Sequence, residues 1–440
     1  MKQTNQFLTN LGITSLNKMQ LEVEKSFYKN IDSKNDLVIY SPTGSGKTLA
    51  FLLASINQLK EENGSIQLII IAPVRELAIQ IDSVIRKMKT DFRVACVYGG
   101  HSIREESRSL SVTPTIIVGT PGRVLDLIHR KIIDVSKVKN LVLDEFDKSL
   151  ELGFEEEMSE ILSRLKQLEI KILTSATLLD HFPDFVKINQ PVIINYLKNQ
   201  SELKTSFYQI SCKDTDKMVT AIKLAQSFNF ESCIFFCNHR ETVERLAEHL
   251  NERQLSVAAF HGGMDQEDRE KAIIRYRNGT CPILVSTDLA ARGLDIEDVK
   301  HIVHFQIPID EKSFTHRNGR TARAGKSGKI YFILSEREYL PDYFTEEIED
   351  LVLTEKIINQ EQSGWETIYF NLGKKDKVNK IDLVGFICQI GKLDKSEIGL
   401  ITVLDHKSFV AIKNEKVKLF LKACQGQKIK KRQVKIGIAN

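Results

Sequence analysis

Ser41-Pro42-Thr43-Gly44-Ser45-Gly46-Lys47-Thr48 lies between an apolar run, Leu37–Tyr40, and an amphipathic stretch, Leu49–Leu59. A strand that enters a glycine-bearing loop and leaves it as a helix is built to hold phosphate. Backbone N–H groups encircle phosphate oxygens only where side chains stay out, which is the use of Gly44 and Gly46. The helix that follows turns its positive dipole end toward the same anion. Lys47 suits the β- and γ-phosphates of a nucleotide, and the Thr48 hydroxyl suits Mg²⁺. The general pattern has glycine where Ser41 stands, and a small residue there is a mild departure.

The same alternation continues outward. Apolar runs recur at Leu68–Ala72, Thr115–Val118, Asn140–Leu143 and Lys171–Leu173, with helical patterns such as Glu156–Leu168 between them. Continuous apolar strands alternating with helices imply a parallel sheet covered on both faces. The pattern restarts at Ser232–Phe236, Val257–Phe260, Pro282–Val285, His301–Phe305 and Lys329–Leu334. Two successive α/β sheets follow, and ligands are expected at the C-terminal ends of their strands. Polar linkers are placed near Lys198–Lys204 and Glu355–Gly364.

Asn140-Leu141-Val142-Leu143-Asp144-Glu145 is such a strand running into two carboxylates. Burying it places both acids at the sheet edge beside the phosphate loop. Asp144 suits Mg²⁺, directly or through water, and Glu145 suits orienting and deprotonating an attacking water. Two adjacent acids elsewhere would read as a solvated turn.

The chain has 440 residues, enough for two to four domains, and a net charge of +4. Residues 365–440 hold 16 Lys and Arg against 7 Asp and Glu. The remainder is mildly acidic. A basic tail on an acidic body suits a polyanion, with a solvated lysine-rich surface as the plain alternative. No apolar run reaches the roughly 18–20 residues of a membrane span. Met1–Asn10 is polar and carries no signal-peptide core, so the expectation is a cytoplasmic protein with no membrane partner. Seven cysteines without a CxxC pair read as reduced structural thiols rather than a metal site.

The tail reads as strand (Glu366–Leu372), helix (Ile381–Gln389), strands (Ile398–Leu404, Ser408–Ile412), helix (Glu415–Cys424) and strand (Gln433–Ile438). That βαββαβ order is ferredoxin-like and is shared by RNA-recognition domains. The fold class expected is α/β: two tandem RecA-like parallel-sheet domains plus a small α+β ferredoxin-like (RRM-type) C-terminal domain. The boundaries expected are 1–200, 205–352 and 365–440.

The chain resembles the DEAD-box ATP-dependent RNA helicases. Asp144-Glu145-Phe146-Asp147 resembles their acidic tetrad, with Phe146 in place of the usual Ala. Pro73-Val74-Arg75-Glu76-Leu77-Ala78, Gly99-Gly100, Thr120-Pro121-Gly122-Arg123 and Ser175-Ala176-Thr177 match further motifs in order. His261-Gly262-Gly263, Gln266 to Arg269, Ser286-Thr287-Asp288, Ala291-Arg292-Gly293-Leu294-Asp295 and His316 to Arg323 do the same in the second half. The likeness spans about residues 12–345.

The resemblance implies roles. ATP and Mg²⁺ are the expected cofactors. Gln20, Ser41, Thr43, Gly44, Ser45, Gly46, Lys47, Thr48, Gly293 and Asp295 would hold the nucleotide, with Thr48 and Asp144 on the metal. Lys47, Asp144, Glu145, Arg320 and Arg323 would form the catalytic set, the two arginines acting as fingers on the γ-phosphoryl group. Such fingers are worth about 10³–10⁵ in rate. Arg75, Gly100, Thr120, Gly122, Arg123, His261, Gln266, Arg269 and Thr287 would hold RNA by its backbone, which carries little sequence information. Asp147, Ser175, Thr177 and His316 would couple the two events, with Ser175 and Thr177 bonded to Asp147. Because ATP and RNA would each favour a closed form, each would favour the other.

Three departures stand out. In the adenine-reading segment Gly12 to Gln20, Leu16-Asn17-Lys18 replaces the family's Pro and Thr, which loosens the expected selectivity for ATP. Phe146 adds bulk expected to face the interior, against a compensating small neighbour. Val74 removes a hydroxyl near the RNA path.

Trp365 to Asn440 resembles the RNA-binding domain of DbpA-type helicases through Thr367 to Lys377, Asp382, Gly385, Ile398-Gly399 and Phe409-Val410. Tyr369 and Phe409 are candidates to stack bases, or else ordinary core residues. Lys407 and Ile412 stand where a second RNA motif has aromatics, so Lys374, Lys375, Lys377, Lys430, Lys431 and Arg432 are the alternative contacts. The partner expected is RNA, in particular structured large-subunit ribosomal RNA during ribosome assembly. DNA is not expected, and a monomer is. The alternative function is an ATP-gated RNA clamp or general RNA chaperone with little unwinding.

Overall fold

A computed structural model describes all residues except 1, 31–32, 43, 61–63, 101–109, 180, 198–204, 289–295, 297–298, 322–326, 354–363 and 440. The chain divides into two compact units, the break falling between residues 202 and 203.

The first unit is one seven-stranded parallel sheet. Its strands are β1 (Leu37–Tyr40), β2 (Leu68–Ile71), β3 (Val94–Val97), β4 (Ile116–Gly119), β5 (Asn140–Leu143), β6 (Ile170–Ser175) and β7 (Val192–Asn195). They run in the order β3-β4-β2-β5-β6-β1-β7. The pleat explains the apolar runs. Leu68 and Ile70 enter one core, and Ile69 and Ile71 enter the core on the opposite face. Each such side chain, fully buried, stabilises the fold by about 1.5–3 kcal/mol. Phe146 is wholly buried in the second of these cores, its ring centroid 6.4 Å from that of Phe185. The interior position expected for it is the one observed.

The second unit holds two sheets. The larger is parallel, with β8 (Thr205–Cys212), β9 (Cys233–Cys237), β10 (Val257–Phe260), β11 (Ile283–Thr287), β12 (His301–His304), β13 (Gly328–Ser335) and β14 (Ile348–Asp350) in the order β10-β11-β9-β12-β13-β8-β14. The smaller is antiparallel, with β15 (Trp365–Phe370), β16 (Ile398–Val403), β17 (Ser408–Lys413) and β20 (Ile436–Ile438) in the order β16-β17-β15-β20. A short hairpin, β18 (Lys428–Ile429) and β19 (Arg432–Gln433), precedes its last strand. This is the βαββαβ order read from the sequence.

Helices Lys380–Gln389 and Val417–Cys424 cover one face of the small sheet, where Ile368, Phe370, Val410 and Ile412 meet Leu383, Phe386 and Phe420. The first of these helices starts on a reciprocal cap between Asn379 and Asp382. The opposite face packs on the helix Gln266–Arg277 of the larger sheet. Phe409 joins Ile274 and Ala439, with Tyr369 and Leu404 against them. Asn278 donates to the Thr367 hydroxyl at 3.0 Å, the Thr280 and Thr367 hydroxyls are 2.7 Å apart, and Lys407 pairs with Glu267 at 2.7 Å.

Among the described residues no helix is long and apolar enough to cross a membrane, and no cluster of His, Cys, Asp and Glu could hold a metal. None of the seven cysteines forms a disulfide, and burial pushes the Cys237 thiol up to about 12, so it stays protonated.

Candidate nucleotide and RNA sites

The C-terminal edge of the first sheet divides into two neighbouring halves. Strands β1, β5 and β6 deliver the phosphate-loop residues, Asp144-Glu145 and Ser175-Ala176-Thr177. Strands β2, β3 and β4 deliver Arg75, Gly99-Gly100 and Thr120 to Arg123. Adjacent positions in the sheet thus carry two chemistries on one rigid support.

In the phosphate half, the Ser41 N–H donates to Ser175 O at 3.1 Å, tying the loop to β6. Gly46 has φ +88° and precedes the helix Lys47–Ile56. A Cβ there would lie 2.3 Å from Gln20 Nε2, so only glycine fits. Lys47 is 7% exposed and donates to the carbonyls of Ser41 and, at 3.1 Å, Pro42. Gln20 donates to Gly46 O at 3.2 Å, and its carboxamide oxygen accepts from Asn17 N at 3.0 Å. Asn17 donates to Ser45 O at 2.9 Å. The residue that departs from the family pattern therefore holds the phosphate loop through its side chain. Gly44 is exposed, Thr48 is half-buried, and Thr43 lies outside the described residues.

Asp144 is 3% exposed at the end of β5. Burial pushes its carboxyl above the ordinary range, opposed by the Thr174 hydroxyl at 2.5 Å and the nearby Lys47 charge. Thr174 also accepts from Glu145 N at 3.1 Å. Glu145 has φ +46°, the left-handed region, which costs a non-glycine residue about 1–3 kcal/mol. That turn aims its side chain out of the strand line. Two buried hydroxyls, Ser41 Oγ and Ser45 Oγ, have no protein partner. A buried carboxylate with one hydroxyl partner, a buried lysine and orphaned hydroxyls fit a phosphate with its cation.

Asp147 accepts from the Thr177 hydroxyl at 2.8 Å and from Thr177 N at 3.2 Å. Ser175 does not reach Asp147 directly as expected. Its hydroxyl bonds Thr177 O and accepts from Thr177 N at 3.1 Å, so it supports the residue that does.

In the other half, Arg75 donates to Gly99 O at 3.0 Å and lies 5.3 Å from the Tyr98 ring centroid. Gly100 is exposed at φ +99°, and a Cβ there would come within 2.8 Å of Arg75. Thr120 N donates to Val97 O at 3.2 Å, and Thr120 precedes the helix Pro121–His129, whose first turn holds Gly122 and Arg123. Arg123 pairs with Asp126 at 3.3 Å.

The second unit repeats the division. His261 follows β10, receives Gly263 N at 3.2 Å and pairs with Glu244 at 3.3 Å. Gln266 and Arg269 open the helix Gln266–Arg277. Gln266 donates to Glu270 at 3.0 Å, and Arg269 lies 5.1 Å from the Phe260 ring centroid. Thr287 ends β11, where the Ser286 hydroxyl donates to Phe260 O at 3.0 Å. His316 and Arg320 are both 5% exposed. Gly293, Asp295 and Arg323 lie outside the described residues.

Sequence reading passed over Arg317 and its ring of partners, Asp288, Asn238, Gln306 and His304. Its motif was visible, but its partners come from three separate strand ends.

In the small sheet, Tyr369 lies against Phe409, ring centroids 5.7 Å apart, on the face that packs against Ile274. Phe409 is 3% exposed. Of the two readings, Phe409 takes that of a core residue, packed within the unit, and Tyr369 lies half-buried beside it. Lys374, Lys375 and Lys377 are exposed on a turn beside the β18–β19 hairpin. Arg432 pairs with Asp376 there, and Lys430 donates to Lys377 O at 2.7 Å and pairs with Asp382 at 2.6 Å. These cations form one exposed basic end.

Residues 18–184 match the DEAD/DEAH box helicase family, 216–325 the helicase conserved C-terminal domain, and 367–438 the DbpA RNA binding domain. The chain is 31% identical to the ATP-dependent RNA helicase DbpA of Bacillus subtilis, over 98% of this chain and 96% of that one. It is 36% identical to the DEAD-box ATP-dependent RNA helicase CshA of the same organism, over 70% of this chain and 63% of that one. Among solved structures it is similar to S. cerevisiae Dbp5 bound to RNA and ADP BeF3, with a TM-score of 0.68 and 26% identity over 77% of this chain and 88% of that one.

Proposed function

We propose, from the premise that this chain belongs to the DEAD/DEAH box family of ATP-dependent RNA helicases and carries a DbpA-type RNA-binding domain, that it remodels large-subunit ribosomal RNA during ribosome assembly. The observation that carries this reading is the exposed basic end formed by Lys374, Lys375, Lys377, Lys430, Lys431 and Arg432 on a domain whose sheet face is otherwise engaged. It supports RNA held by phosphates and shape, as a structured RNA requires. The likeness to the ATP-dependent RNA helicase DbpA of Bacillus subtilis along 98% of this chain supports RNA as the target. The proposal includes a monomer working in the cytoplasm.

ATP binds in the first unit. Lys47 takes the β- and γ-phosphates, and Ser41 and Ser45 supply their orphaned hydroxyls. Thr48 and Asp144 would hold Mg²⁺, which supplies charge neutralisation on the phosphates. Glu145, turned out by its left-handed backbone, orients the attacking water and accepts its proton. Arg320 and Arg323 supply guanidinium to the γ-phosphoryl oxygens, where transition-state charge gathers. Gln20 is assigned to the adenine edge, with Gly293 and Asp295 also on the nucleotide. RNA backbone is taken by Arg75, Gly100, Thr120, Gly122 and Arg123 in the first unit and by His261, Gln266, Arg269 and Thr287 in the second. Asp147 with Ser175 and Thr177, and His316, connect hydrolysis to RNA release.

The test is steady-state ATPase with no RNA, unstructured RNA and large-subunit ribosomal RNA, on the native chain and on a K374A/K375A/K377A variant. Stimulation that is strongest with ribosomal RNA and falls in the variant is the expected result. Equal stimulation by every RNA in both proteins overturns the ribosomal target.

A further inference from the structure

The largest fully buried side chain among the described residues is a charged one. Arg317, 1% exposed, sits in the helix Glu311–Asn318. Its Nε donates to Asp288 Oδ1 at 2.5 Å and its Nη2 to Asp288 Oδ2 at 2.7 Å. Nη2 also reaches Asn238 Oδ1 at 2.6 Å, and Nη1 reaches Gln306 O at 2.6 Å and His304 Nδ1 at 3.4 Å. The five N–H donors thus meet five acceptors. The guanidinium carbon lies 5.3 Å from the Phe236 ring centroid, a cation–π contact.

The acceptors come from different strand ends. Asn238 follows β9, Asp288 follows β11, and His304 and Gln306 lie at the end of β12. Asn238 is itself fixed: its Nδ2 donates to Ile307 O at 3.0 Å, and its backbone N–H donates to Gln306 Oε1 at 2.8 Å. Behind the arginine, His304 Nε2 faces Asn318 Oδ1 at 3.1 Å, and its ring stacks on Phe332 at 4.6 Å. With Nδ1 turned to a guanidinium, His304 is a neutral ring carrying its proton toward Asn318. The next turn of chain hangs from this assembly: Arg320 N donates to Arg317 O at 3.3 Å, and Thr321 N to Asn318 O at 3.1 Å.

Fold stability does not by itself account for such an arrangement. Replacing a buried ion pair by well-packed apolar side chains is often neutral or stabilising, and the best-attested use of buried ion pairs is fixing register. Here the register fixed is that of two functional segments. Asp288 directly follows Thr287, and Arg317 directly supports the turn that carries Arg320.

We propose that Arg317 is a positioning residue: gripped by Asp288, Asn238 and the Gln306 carbonyl, it locks the Arg320 turn to the end of β11, so that RNA held at Thr287 and the Arg320 guanidinium are set by one rigid piece. This rests on the roles assigned to Thr287 and Arg320 under Proposed function. A planar fork is required, because a lysine carries the charge but cannot satisfy three strand ends at once.

The test uses the full chain with Asn238→Ala, Arg317→Lys and Arg320→Ala, each beside the native protein. Four quantities are measured: RNA-stimulated kcat, KM for ATP, the factor by which a non-hydrolysable ATP analogue tightens single-stranded RNA, and the thermal midpoint. Asn238→Ala removes one grip and leaves the ion pair, so it remains folded even where Arg317→Lys does not. Its expected signature is a coupling factor that drops toward one from a range typical of coupled sites, about 5–150-fold. An RNA-stimulated kcat reduced by about tenfold accompanies it, corresponding to one turn contact misplaced. KM for ATP and RNA affinity without nucleotide stay at native values. A folded Asn238→Ala variant with native coupling and kcat, lowered only in its midpoint, makes Arg317 a brace and overturns the proposal. If Arg320→Ala itself keeps native kcat, the role of Arg320 fails first and takes the proposal with it.

Discussion

Asp144 in the first unit and Arg317 in the second are both buried charges at the C-terminal edge of a parallel sheet, and they are treated in opposite ways. Arg317 has every donor met by a fixed acceptor. Asp144 has one hydroxyl at 2.5 Å and a lysine nearby, and the hydroxyls of Ser41 and Ser45 stand close in sequence and fold without partners. A buried charge whose bonds are complete belongs to the scaffold. One whose bonds are incomplete raises the energy of the folded chain until a ligand supplies the rest. The difference separates a positioning group from a binding group without reference to any motif.

The largest effect expected on the incomplete side is on turnover. Glu145→Gln lowers kcat by about 10²–10⁴ while ATP and RNA still bind, because it removes only the proton acceptor. Turnover within tenfold of native would remove Glu145 from the chemistry. On the complete side, Arg317→Met leaves a half-buried Asp288 without its guanidinium partner and costs about 1–3 kcal/mol in urea unfolding. A loss below about 1 kcal/mol would mean that Asp288 finds water, and the contrast between the two sites would weaken.

Asp144→Asn sharpens the contrast, because the expected sign is reversed. Burial holds the Asp144 carboxyl above its ordinary value, so the folded chain keeps a proton that the unfolded chain releases. Its ionised form therefore opposes folding at neutral pH, and that opposition fades as pH falls through the raised value. The asparagine variant is expected to melt higher than native at pH 7, by about 2–4 °C for each kcal/mol released, with the gap closing toward acid. Melting curves across pH that show the variant below native at pH 7 would contradict the reading. The smallest effect lies in the tail. Each of Lys374, Lys375 and Lys377 changed to Ala is expected to reduce the slope of log affinity against log salt by about 0.7, as for one single-strand phosphate contact. Tyr369→Ala is expected to leave that slope unchanged, and a comparable loss there would return the sheet face to RNA binding.

Much of this was legible in the chain. The run Leu68–Ala72 anticipated β2, because a strand buried on both faces must be apolar at every position. The phosphate loop and the carboxylates after β5 were legible because their chemistry depends on neighbours in sequence. Strands β3, β7 and β14 escaped notice since edge strands are only partly buried, as at Val94–Val97, and lack a continuous apolar signature. β8 escaped for a similar reason: Thr205–Cys212 mixes polar and apolar residues over eight positions.

What the amino-acid sequence determined alone is local: which segments are strands, where glycine must stand, and which side chains follow each strand into the edge. What tertiary structure decided is which of those side chains are already satisfied. Arg317 and Asn238 are 79 residues apart, and Tyr369 meets a helix almost a hundred residues before it. Periodicity reports burial of a face but not the identity of what covers it. The apolar face of the small sheet and the arginine of the second unit could be assigned only once distant segments were brought into contact.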